Sequence, residues 1–105
     1  MALTDAVQNS TQLPVSITWT RDDGSALNLS GATITGHIIS IETGVPRDID
    51  GSLDITTAAS GVFQWDYGTT DVGTAGVFYV QFVATYGTGE KVRSKKQLWN
   101  VKQAI

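Results

Sequence analysis

The residues that could do chemistry are few, and most stand alone. His37 is the one histidine of this 105-residue chain, set in an alternating stretch beside Thr35 and Ile39. General-base chemistry needs a partner within hydrogen-bond reach, and a lone strand imidazole reads as hydrogen-bonded or solvent-facing. Asp48-Ile49-Asp50-Gly51-Ser52-Leu53-Asp54 opens like a calcium loop. Calcium takes roughly six to eight oxygen ligands, and an EF-hand closes on a bidentate glutamate at its last loop position. That position is Ala59 here, so the segment reads as a solvated acidic turn. Gly73-Thr74-Ala75-Gly76 and Gly87-Thr88-Gly89-Glu90-Lys91 lack the full phosphate-loop spacing and read as turns. The absence of cysteine excludes disulfides, thiolate metal sites and thiol nucleophiles. The expectation is a chain with no catalytic residues, no metal and no cofactor: not an enzyme.

The aromatic residues are the constellation that invites a binding role. Trp19, Trp65 and Trp99, with Tyr67, Tyr79 and Tyr86, could offer flat surfaces on which sugar rings stack. The tryptophans, however, fall on strand faces that read as core, and a small sandwich needs large side chains to fill it. A carbohydrate-binding module for cell-surface glycans, with Tyr79, Tyr86 and Trp99 as its platform, is therefore the alternative reading.

Charge is unevenly spread. Through Glu90 the chain carries all ten of its acids and only Arg21 and Arg47; beyond it come Lys91, Arg93, Lys95, Lys96 and Lys102 with no acid. Such polarity suits head-to-tail contact with copies of the same chain or with an acidic neighbour. It equally suits a late edge strand whose lysines block stray pairing. A net charge of −3 argues against nucleic acid as a partner. No apolar run is long enough to span a bilayer and no basic-apolar leader opens the chain, so neither a membrane role nor secretion is expected, and synthesis is placed in the cytoplasm.

These residues must be positioned by strands, because the hydrophobic period is 2 nearly throughout. Residues 14–21 alternate, with Val15, Ile17 and Trp19 on one face. A turn at residues 21–25 needs positive φ at Gly24. Leu27 and Leu29 suggest a short extended piece. Residues 32–41 form a strand with Ala32, Ile34, Gly36 and Ile38 inward, and the doubled Ile38-Ile39 suggests a bulge or a strand covered on both sides. A polar loop over 42–51 precedes a short strand at Leu53-Asp54-Ile55 and a turn over 56–61. Phe63, Trp65 and Tyr67 share the face of the next strand. Residues 77–85 put Phe78, Val80, Phe82 and Ala84 inward, a hairpin turn follows at 86–89, and Trp99 and Val101 of the last stretch read as core. About seven antiparallel strands with turns at regular spacing predict an all-β fold, an immunoglobulin-like β-sandwich without a disulfide over residues 13–105. Residues 1–12, polar and unpatterned, read as an extended N-terminal arm, loose or laid on a neighbouring subunit.

Several motifs occur together in a known order. Asn28-Leu29-Ser30-Gly31-Ala32-Thr33-Ile34 resembles the strand entry of the phage baseplate upper protein N-terminal domain family. Pro14-Val15-Ser16-Ile17 is similar to that family's opening strand and Asp23-Gly24 to the turn after it. Gly61-Val62-Phe63-Gln64-Trp65, the stretch from Thr70 to Gly76-Val77-Phe78-Tyr79, the Gly89-Glu90 hairpin and Trp99-Asn100-Val101 follow in order, so the resemblance covers roughly residues 12–102. It implies an immunoglobulin-like attachment module of a tailed-phage virion, with other virion proteins as partners and copies of itself in a symmetric assembly. In that family the domain heads a longer chain, whereas this sequence stops at Ile105, so baseplate or tail and capsid-surface decoration are both expected docking places. The contacts expected to carry binding are Leu3 and Val7 of the arm and Lys91, Arg93, Lys95 and Lys96 of the basic stretch.

Overall fold

The computed structural model describes residues 3–11, 14–21 and 23–104. The boundary expected between residues 12 and 13, and the part of Asp22 in its turn, lie outside the described residues. Alternating apolar residues form nine strands among those described: β1 (Ala6–Val7), β2 (Val15–Thr18), β3 (Ala32–Ser40), β4 (Pro46–Asp48), β5 (Ser52–Thr57), β6 (Val62–Asp66), β7 (Gly76–Tyr86), β8 (Lys91–Arg93) and β9 (Gln97–Lys102). One sheet runs β2-β6-β5; the other runs β1-β9-β7-β3-β4, with β8 also paired to β7. Every pairing is antiparallel except β1 with β9, which is parallel. The fold is all-β with two sheets, as the period-2 pattern predicts.

The core lies where the sheets face each other. Phe63 and Trp65 of β6 meet Phe82 of β7 and Trp99 of β9: the Phe63 and Phe82 rings are edge-on with centroids 5.0 Å apart, and Trp65 and Trp99 lie 4.8 Å apart. Trp19, Ile38, Val80, Phe78 and Val101 close the cluster. Burying a large apolar side chain contributes about 1.5–3 kcal/mol, so these rings are a principal source of the stability that locks the sheets together.

Four details differ from the sequence reading. Leu27 and Leu29 are buried but form no strand; their N–H groups donate instead to Trp19 O and Ala58 O at 2.9 Å each, which fixes them as a stapled loop. The Ile38-Ile39 doublet is no bulge, since β3 and β7 pair in unbroken register from Ala32 to Ser40. The loop over 42–51 contains β4, an edge strand where Pro46 is tolerated. The described part of the expected arm, residues 3–11, is laid on its own domain. Ala6 is buried in the core and pairs with Val101, Gln8 N–H donates to Lys102 O, and Asn9 N–H donates to Val72 O. A small apolar residue at position 6 lets this segment lie on its own sheet.

The last stretch breaks where alternation slips. Arg93 pairs with Val83 and Gln97 with Val80, so three residues on one strand oppose two on the other, a bulge carrying Lys95 and Lys96. Ser94 fills the gap: its N–H donates to Phe82 O and its Oγ accepts Phe82 N–H, both at 2.9 Å.

Gly61 ends the 3₁₀ turn Ala58–Ser60 at φ +69°, and a Cβ there would lie 2.7 Å from Leu27 O and 2.8 Å from Trp19 O. Gly31 has φ +77° but open space around it. Gly61→Ala is expected to cost about 2–3 kcal/mol and Gly31→Ala about 1 kcal/mol. Urea unfolding should show both as lowered midpoints at unchanged m-value.

Candidate functional site

The basic stretch forms one edge of the larger sheet. Lys91 and Arg93 of β8 and Lys95 and Lys96 of the bulge are all exposed. Beside them, a cleft of about 790 Å³ opens, lined among others by Trp19, Arg21, Asp23, Leu27, Arg93 and Lys95. Lys102 stands apart, 3.8 Å from Asp5. Of the two expected arm contacts, Val7 is exposed and Leu3 is half-buried against the chain's own core.

The glycan platform does not assemble. Trp99 is 1% exposed, its ring stacked among Trp65, Tyr67 and Phe78, because β9 turns it inward. Tyr86 is half-buried and its hydroxyl donates to Asn28 O at 2.6 Å. Tyr79 is exposed, but its odd position on β7 puts it on the opposite sheet face from Tyr86. One tyrosine remains, too little for a stacking surface.

His37 is exposed, and its Nδ1 lies 2.8 Å from Asp48 Oδ1. The acidic segment that opens like a calcium loop is tied down by its backbone. Asp50 N–H donates to Asp71 Oδ1 at 2.8 Å, and Gly51 N–H to Asp71 Oδ2 at 2.9 Å.

Asp71 is the residue that sequence reasoning passed over. It has no exposed surface, yet it is a carboxylate. Its Oδ2 also accepts Gly68 N–H at 2.9 Å and Trp65 Nε1–H at 3.4 Å. Arg47 spans the residue, donating from Nη1 to Oδ1 and from Nη2 to the main-chain oxygen, both at 3.3 Å. The same guanidinium lies 6.0 Å from the Phe78 ring centroid. The only sequence signal was an acid beside the apolar Val72 between two glycine-rich turns. The arrangement neutralises and satisfies the carboxylate, so its work is architectural.

Tyr67 borders this knot, its ring 4.8 Å from Trp65 and 5.6 Å from Trp99. Burial pushes its phenol above the ordinary tyrosine range; the nearby Trp99 indole opposes this, and the charges of Asp5 and Asp71 add to it. The Trp99 Nε1–H approaches without meeting hydrogen-bond geometry. At the surface, hydrogen bonds from the Ser25 hydroxyl and N–H hold the Asp23 carboxyl below its usual range.

No protein-family model matches the chain, and no curated protein matches it.

Asp71→Ala leaves three amides, the Trp65 indole and a guanidinium without their carboxylate acceptor and should cost about 3–5 kcal/mol. Asp71→Asn keeps the volume but turns one acceptor into a donor, for about 1–3 kcal/mol. Chemical denaturation measures both. The raised Tyr67 value means that the folded state holds its proton longer than the unfolded state. Its contribution is complete below about pH 10, the unfolded value, and is lost as pH rises from there through the folded value. Thermal melts across pH 9–11.5 should therefore fall more steeply for the parent chain than for Tyr67→Phe.

Proposed function

We propose that this chain is a non-enzymatic attachment module of immunoglobulin-like sandwich type, and that it docks on other proteins of a tailed-phage virion. The observation that carries this reading is the outer surface. Four exposed cations follow one sheet edge, and six large apolar residues are exposed among the described residues, while His37 and Asp71 are engaged in holding the scaffold. Surfaces of that kind serve recognition, with charge setting orientation and encounter rate.

The strand order supports the sandwich type. Sheets β2-β6-β5 and β1-β9-β7-β3-β4 divide the chain as an immunoglobulin-like sandwich does, with strands two, five and six on one layer and the central pair of the other formed by β3 and β7. The ordered motifs from Pro14 to Val101 support the virion reading. Acidic faces on tail, baseplate or capsid proteins would meet Lys91, Arg93 and Lys96.

Peptide mass spectrometry of purified particles from the phage that encodes the chain tests this directly. The chain should be present in many copies. The triple variant Lys91→Glu/Arg93→Glu/Lys96→Glu should fold but be depleted from particles by about tenfold. Particles lacking the parent chain would overturn the virion role. Tryptophan emission should be blue and unmoved by added oligosaccharides, as buried indoles require; a shift on sugar addition would favour the glycan reading instead.

A further inference from the structure

The outer face of the larger sheet carries an apolar row that the fold does not use. An antiparallel sheet with one wet face normally alternates apolar inward and polar outward. Here Pro46, Ile39, Tyr79 and Leu98 are direct cross-strand neighbours across β4, β3, β7 and β9. Tyr79 and Leu98 are 40% and 55% exposed. Ile41 and Val77, also exposed, adjoin the row, with Ile41 N–H donating to Val77 O. At about 4.8 Å between strands, the row is about 15 Å wide.

The charges flanking this row are asymmetric. On the β4 side, the next position outward is Asp48, paired with His37 in the ladder and exposed. On the β9 side, exposed Lys96 directly precedes Gln97, the ladder partner of Val80, and so adjoins the level of Gln81 and His37. The acid thus stands at one lateral edge and the base at the other.

We propose that this face is an isologous interface with a second copy of the chain, the two-fold axis lying between β3 and β7 and running along the strands. That operator exchanges left and right while keeping the level along the strand. It brings β4 of one copy over β9 of the other and β3 over β7. Pro46 then meets Leu98, Ile39 meets Tyr79, and Asp48 meets Lys96, each twice by symmetry. A two-fold axis across the strands, passing through the row, would instead lay β4 over β4 and β9 over β9, so that Asp48 and Lys96 never meet. Charge complementarity selects the first arrangement and names the occupant: the surface fits itself. The inference does not depend on the virion reading, since sedimentation reads this face and particle composition reads that role.

Sedimentation equilibrium of the full chain tests it. The parent should dimerise with a dissociation constant on the order of 10 μM. Tyr79→Lys and Leu98→Lys should each weaken the dimer about tenfold or more, with far-ultraviolet dichroism and tryptophan emission unchanged. Asp48→Lys and Lys96→Asp should each weaken it about threefold at low salt, and the double exchange Asp48→Lys/Lys96→Asp should restore it. A parent that stays monomeric at millimolar concentration overturns the proposal. So does association unmoved by either folded row variant, and so does a double exchange that fails to restore what both single variants lose.

Discussion

One buried carboxylate holds the end of the molecule where the two sheets are joined. Asp71 precedes β7 and gathers amides from residues 50, 51 and 68, the indole of Trp65 and the guanidinium of Arg47. Those donors come from the loop after β4, the loop after β6 and the strands beside them. A carboxylate taken out of water is costly, and only several well-placed donors offset that cost. Its value lies in direction. Apolar packing draws the sheets together without fixing how their connecting loops lie, whereas five donors converging on two oxygens leave one arrangement. The acidic segment over 48–54 is held in shape by this knot through the amides of Asp50 and Gly51.

How much of this was legible in the sequence depends on range. The inward faces of β3, β6, β7 and β9 follow from alternation alone, because a pleated strand sends successive side chains to opposite sides. Phe63, Trp65, Phe82, Trp99 and Val101 were readable for that reason. Ala6 was not, since a two-residue strand has no period to read. Leu27 and Leu29 mimic a strand by spacing, but their backbone partners are remote loop atoms. Asp71 is invisible for the same cause: its donors lie 3 to 24 residues away and are mostly amides, which any sequence supplies. For binding, the Lys91–Arg93 stretch and its following lysines were legible as a charge cluster. The apolar row across four strands was not, because it exists only after β3, β4, β7 and β9 are placed side by side.

The surface divides its tasks between edge and face. Strand β8 and the Lys95-Lys96 bulge oppose indiscriminate strand addition, since charge and a broken ladder make a poor template. On the broad face, Tyr79 and Leu98 offer area and charges at the rim set register, so contact there needs no free strand edge. This permits close association without the backbone pairing that leads to fibres.

The parallel pairing of β1 with β9 also bears on how the molecule comes into being. Ala6 is synthesised nearly a hundred residues before its ladder partner Val101. Contacts so distant in sequence form slowly, since the loop between them must be closed first. At a synthesis rate of roughly 5–20 residues per second, the opening segment waits several seconds for its partner to leave the ribosome. During that wait β7 has no β9, and the row around Tyr79 is incomplete without Leu98. The order of the strands therefore works as a timer: the chain acquires its sociable face only when its own sheet is closed.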